Sequence, residues 1–100
     1  MINENQECCK RITDELMKHY NKGKLYQYFD DILDWKYTCN SRKEYSSSKI
    51  YVALGGPNIW IDTSEKSVEL RWGGKSASWA LPYDVCGAID EIFEERFHNT

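Results

Sequence analysis

Gly55-Gly56-Pro57-Asn58-Ile59-Trp60-Ile61-Asp62-Thr63, followed by Val68-Glu69-Leu70-Arg71-Trp72-Gly73-Gly74, decides how this chain folds. Ile59 and Ile61 alternate with Trp60 and Asp62, and Val68, Leu70 and Trp72 alternate with Glu69 and Arg71. A two-residue period belongs to a strand with one buried and one exposed face. The glycine pairs and Ser64-Glu65-Lys66 are turn chemistry, because glycine takes positive φ at little steric cost. Connections this short force neighbouring strands to pair antiparallel.

Working outward, Ile50, Val52 and Leu54 alternate with Tyr51 and Ala53, and Ala77, Trp79 and Leu81 alternate with serines and Ala80. The period on Leu33, Trp35, Tyr37 and Cys39 adds a strand before the polar, serine-rich stretch from Ser41 to Ser48. That stretch reads as the most mobile loop or, alternatively, as the extension of both strands into a hairpin arm with Tyr45 packing back. The expected sheet is a meander of four to five strands.

Both flanks read as helix. Cys8 or Cys9, Ile12, Leu16, Met17 and Tyr20 have helical spacing, with Asn3 or Asn5 as the cap and Gly23 as the stop. Leu25 to Leu33 continues as a short second helix through Tyr28 or Phe29 and Ile32. After Pro82, the residues Val85, Ile89, Ile92, Phe93 and Phe97 form an apolar stripe opposite Asp90, Glu91, Glu94 and Glu95. The reading is therefore one α+β domain over residues 1–100: an N-terminal helix or helix pair, the meander, and a C-terminal amphipathic helix on the face of Ile50, Val52, Ile59, Ile61, Val68 and Leu70.

At 100 residues and a net charge of −3, the chain has one core and no overall field drawing it to nucleic acid. The charge is uneven: seven acids and five bases to Trp35, four and seven from Lys36 to Lys75, five and one thereafter. The helices are acidic and the sheet is basic. No basic-then-apolar leader and no apolar run of spanning length occurs, so the expected setting is the cytoplasm, with no membrane partner. There Cys8, Cys9, Cys39 and Cys86 stay reduced, and their spacing is not that of a zinc or redox motif. No metal and no cofactor is expected.

No catalytic relay is legible around His19 or His98. Asp30-Asp31 and Glu94-Glu95 diverge by about 100° on a helix and make no acid dyad. Gly55-Gly56-Pro57 lacks the lysine and the following helix of a phosphate loop. Asp62-Thr63 reads as an Asx-turn. The sheet face turned from the closing helix carries Tyr51, Trp60, Asp62, Glu69 and Arg71, residue types that favour recognition. Two arrangements are open: the N-terminal helices cover that face in a three-layer sandwich, or it is free for a partner. Trp35, Trp72 and Trp79 fall on the core parity.

The Gly55–Thr63 and Val68–Gly74 segments, with the closing Cys86-Gly87-Ala88-Ile89-Asp90-Glu91-Ile92-Phe93, resemble small proteins of bacterial phages and conjugative elements over the last half of the chain. The resemblance implies a non-enzymatic accessory protein in the bacterial host, similar in kind to anti-CRISPR and other anti-defence inhibitors. Such a protein occludes a host protein, a CRISPR–Cas effector among the candidates, as monomer or homodimer. The partner-binding residues would be Tyr51, Trp60, Asp62, Glu69 and Arg71, or Asp90, Glu91, Glu94 and Glu95, whose carboxylates mimic phosphate. The alternative is single-stranded nucleic acid on Tyr51, Trp60, Arg71, Lys49, Lys66 and Lys75.

Overall fold

A computed structural model of the chain describes residues 3–30, 32 and 34–99. The expectations for Asp31 and Leu33 lie outside the described residues. The elements are α1 (Glu4–Asn21), α2 (Leu25–Tyr28), β1 (Asp34–Cys39), β2 (Tyr45–Ala53), β3 (Asn58–Asp62), β4 (Ser67–Trp72), β5 (Lys75–Ala80) and α3 (Tyr83–His98). The five strands lie in sequence order, each antiparallel to the next. This is the expected α+β meander with a helix at each end.

Local chemistry sets the boundaries. The Asn3 side chain accepts from Gln6 N at 2.8 Å and the Gln6 side-chain oxygen accepts from Asn3 N at 3.3 Å, a capping box that starts α1. Its end is a Schellman turn: Gly23, at φ +69°, donates to Tyr20 O at 3.0 Å, and Lys24 donates to His19 O at 2.9 Å. The second helix is a single turn ending at Tyr28, shorter than the stripe to Leu33 implied. Gly73 and Gly74, both at positive φ, close the β4–β5 hairpin in the geometry that matches strand twist.

Register carries one row of side chains across all five strands on the covered face: Trp35, Ile50, Ile61, Val68 and Trp79 stand opposite one another in turn. The two long helices share that face. The first lies against β5 and β4, the last against β2, and they touch each other. Cys9 and Leu16 thereby join Ile50, Ile61, Val68, Leu70, Ile89 and Phe93 in one core. The molecule has two layers, and the three-layer alternative does not occur.

The Ser41–Ser48 stretch takes the hairpin-arm alternative. The Asn40 side chain accepts from Arg42 N and Glu44 N, closing the turn, and β2 already begins at Tyr45. The Tyr45 ring packs against Tyr37 and Phe97, and its hydroxyl donates to Asp90 Oδ1 at 2.6 Å while Ser48 Oγ lies 2.6 Å away. Two apolar expectations are corrected. Leu54 is exposed rather than on the core face, because the register shift between Tyr51 and Ala53 inverts the parity beyond it. Trp72 keeps the expected parity but is 58% exposed, since the end of β4 reaches the rim beside Asn3, Glu4 and Asn5, where α1 begins.

Burial also fixes the protonation of the core. It pushes the Cys9 and Cys86 thiols up from 9.0 to about 11 and the Tyr28 phenol up from 10.0 to about 12. Burial and then the Asp90 carboxylate raise Tyr45 as well. A group that binds its proton more tightly when folded stabilises the fold fully below its unfolded pKa, and that contribution drains away as pH rises toward the folded value. Stability is therefore expected to fall between about pH 9 and 12, and the fall above about pH 10 is expected to be shallower in Tyr45→Phe. Urea midpoints across this range check it; a wild-type midpoint that stays level contradicts it.

Candidate interaction surface

The face of the sheet that no helix covers repeats the same logic in polar and aromatic residues. Asp34, Tyr51, Trp60, Glu69 and Ser78 stand opposite one another across the five strands. In the next row Lys36 stands directly opposite Lys49, and on the other side Asn58 is opposite Arg71. Directly paired residues and their diagonal neighbours lie within reach of long side chains.

The side chains use that reach. The Tyr51 and Trp60 rings lie 6.2 Å apart, tilted by 41°. The Arg71 guanidinium sits 5.9 Å from the Trp60 ring centre and Lys36 Nζ sits 5.8 Å from that of Tyr51. The result is a diagonal row, Lys36–Tyr51–Trp60–Arg71, crossing four strands with a cation at each end and two rings between. Each cation–π contact at an exposed site is worth about 0.5–1 kcal/mol, enough to restrict the rings before anything binds. A shallow hollow around the row is completed by Asp34, Lys49, Leu54 and Asn58.

Tyr51, Trp60, Glu69 and Arg71 are thus brought together as the alternation required. Glu69 lies opposite Trp60, and its Oε2 accepts from Ser67 Oγ at 2.7 Å. Asp62 is placed differently. It is 5% exposed, and its Oδ1 accepts from Ser64 N and Glu65 N at 3.0 Å each, so its carboxylate is committed to the Asx-turn. Thr63 beside it is also structural: its Oγ1 accepts from Ser48 N at 2.9 Å.

The acidic residues of α3 lie on the helical side of the molecule. Glu91, Glu94 and Glu95 are exposed, whereas Asp90 is half-buried and accepts from Tyr45. His98 Nε2 lies 3.8 Å from Glu94. The acidic residues of α3 thus sit on the layer opposite the Lys36–Tyr51–Trp60–Arg71 row. Of the basic residues considered for a single strand, Lys49 lies in the hollow. Lys66 occupies the β3–β4 turn over the Tyr83 ring, and Lys75 sits at the rim near Trp72.

Lys36 and Asp34 were missed. Both stand on the polar parity of β1, which was visible, but which residues of β2 they face depends on the length of the intervening arm. The rest of the surface offers little reactive chemistry to place. His19 Nδ1 donates to Glu15 O at 2.8 Å, and all four cysteines are free thiols, with Cys39 exposed. Among the described residues no three His, Cys, Asp or Glu side chains are grouped so as to hold a metal, and no helix is long and apolar enough to cross a membrane. Compared with protein-family models, curated proteins and solved structures, the chain matches none.

Proposed function

We propose that this is a non-enzymatic binding protein that docks the open face of its sheet onto an acidic surface of a host protein and inhibits that protein by occlusion. The observation that carries the reading is the Lys36–Tyr51–Trp60–Arg71 row: large rings with polar edges, prepositioned between cations on a face that no helix covers. Rings of this kind bury much area at low rotamer cost.

Charge supports the sign of the partner. Lys36 and Lys49 oppose each other directly, an arrangement that costs stability in a sheet unless a counter-charge arrives. On its other side Lys49 stands opposite Asp62, whose carboxylate, while accepting from Ser64 N and Glu65 N, offsets one of the two positive charges and leaves the three residues with a net positive charge. Asp34 and Glu69 flank the rings, which disfavours a uniform polyanion and favours a protein surface of mixed detail. The resemblance to phage and mobile-element proteins adds the expectation of a bacterial host and of an effector that handles nucleic acid as the target.

The test is the affinity for a purified CRISPR–Cas effector at low and high salt. Binding that weakens with salt supports the reading, since the cationic row contributes by steering and complementarity. No binding at either salt removes this partner. The two adjacent rings with a cation at each end also favour a second reading, a short single strand stacked on Tyr51 and Trp60. Quenching of tryptophan fluorescence by oligothymidylate, lost in Trp60→Ala, would select it.

A further inference from the structure

A sheet of five strands has two edges, and this one treats them differently. The β1 edge carries the usual defences: two charges, Asp34 and Lys36, and a register shift between Thr38 and Cys39 that breaks the regular ladder. The β5 edge has a single charge, Lys75 at its first residue, and no register shift. From Ser76 to Ala80 it reads Ser-Ala-Ser-Trp-Ala, without charge or proline, and its pairing with β4 runs unshifted from Lys75 to Ala80.

The exposed backbone groups of β5 can be assigned. Leu81 N donates to Lys66 O at 2.8 Å, toward β4. Peptide groups alternate in direction along an antiparallel strand. Those of Lys75, Ala77 and Trp79 therefore also point to β4, and those of Ser76, Ser78 and Ala80 point out from the edge. The three outward residues are small and exposed.

The borders of this strand are apolar. Trp72, paired with Lys75, is 58% exposed, and Tyr83, just past the strand, is 76% exposed. The first helix lies against β5 with one flank on α2, where His19 meets the Tyr28 ring at 5.5 Å. Met17 is about 160° round the helix from His19, and Tyr20 lies within about 60° of Met17. Both are exposed.

We infer that β5 pairs antiparallel with β5 of a second copy of this chain, about a two-fold axis through Ser78. In that register Ser76 lies across from Ala80 of the second copy, and Trp79 lies across from the small Ala77 of the second copy. The two Lys75 charges fall at opposite ends. About six backbone hydrogen bonds form, all from groups with no partner within the sheet. With the axis normal to the sheet, the helices of both copies share one side. Both Lys36–Tyr51–Trp60–Arg71 rows share the other, so the dimer presents two copies of the open face on one continuous surface.

Analytical ultracentrifugation from low to high micromolar concentration tests this, beside amide exchange on the same samples. The expected species at high concentration has twice the 11.8 kDa chain mass. In it the Ser76, Ser78 and Ala80 amides are protected, and they lose protection on dilution, while those of Ala77 and Trp79 stay protected throughout. Ser78→Pro removes an outward N–H and leaves the bonds to β4 intact, so it should weaken the dimer at least about tenfold with unchanged circular dichroism. A monomer at every concentration, or a dimer whose Ser76, Ser78 and Ala80 amides exchange as in the monomer, overturns the inference. If the proline variant fails to fold, exchange in the unaltered protein decides alone.

Discussion

Phe93→Ala is expected to destabilise the fold by about 3–5 kcal/mol, the range for truncating a fully buried aromatic. Phe93 is 0% exposed and stands where three elements meet. Its ring lies 5.0 Å from that of Phe29, edge to face, and 5.9 Å from that of Trp35. The Arg96 guanidinium sits 4.8 Å from its centre and 5.4 Å from that of Trp35. Losing the ring leaves a cavity between α3, the residue after α2, and β1, and removes the support that lets Arg96 lie over Trp35.

Domains of this size are stable by about 5–15 kcal/mol, so the variant should hold only a fraction of the original margin. Urea unfolding should show a lower midpoint with an unchanged slope. Glu91→Ala, on the exposed side of the same helix, should stay within about 0.5 kcal/mol and serves as the control. A cost below about 1 kcal/mol at Phe93 would mean that the closing helix does not seal the core.

That helix and the ribbon beneath it were legible because their signals are local. A period of two with glycine at the turns fixes strands and their order, and the Val85–Phe97 stripe fixes a helix face. What failed depends on events longer than one element. The bulge at Val52 shifts parity by one residue and sends Leu54 to solvent, and nothing in Ile50–Leu54 announces it. Trp72 has core parity, but the helix that would cover it begins too late.

Which face the N-terminal helices choose was likewise open. Both faces offered large side chains, and the choice is made by α1 packing Cys9 and Leu16 into the core that α3 also serves. Asp62 shows the reverse case: its turn role was readable from Asp62-Thr63, and that role takes its carboxylate out of the surface on which strand parity had placed it. Tyr45 was readable only as one of two alternatives, because its partner Asp90 is 45 residues away.

Trp60→Ala should weaken binding to the open face roughly thirtyfold or more while leaving the fold nearly intact. A buried-on-binding tryptophan at the centre of a contact typically contributes 2 kcal/mol or more, which is roughly a thirtyfold loss of affinity. Trp60 is central by register, with Tyr51 on one side, Glu69 on the other and Arg71 over its ring. Its loss also frees Arg71, so the two act as a unit, and the double variant with Arg71→Ala should cost less than the sum of the singles.

Within the free protein the same ring makes cross-strand contacts alone, worth about 0.2–1 kcal/mol each, so the unfolding midpoint should move little. Arg71→Glu should behave differently, slowing association and flattening the salt dependence, because it inverts the charge that draws an acidic partner to the hollow. Replacing Glu91, Glu94 and Glu95 together tests the opposite layer. If those three substitutions abolish binding and Trp60→Ala does not, the acidic helix is the recognition surface, and the aromatic row serves only to hold the sheet.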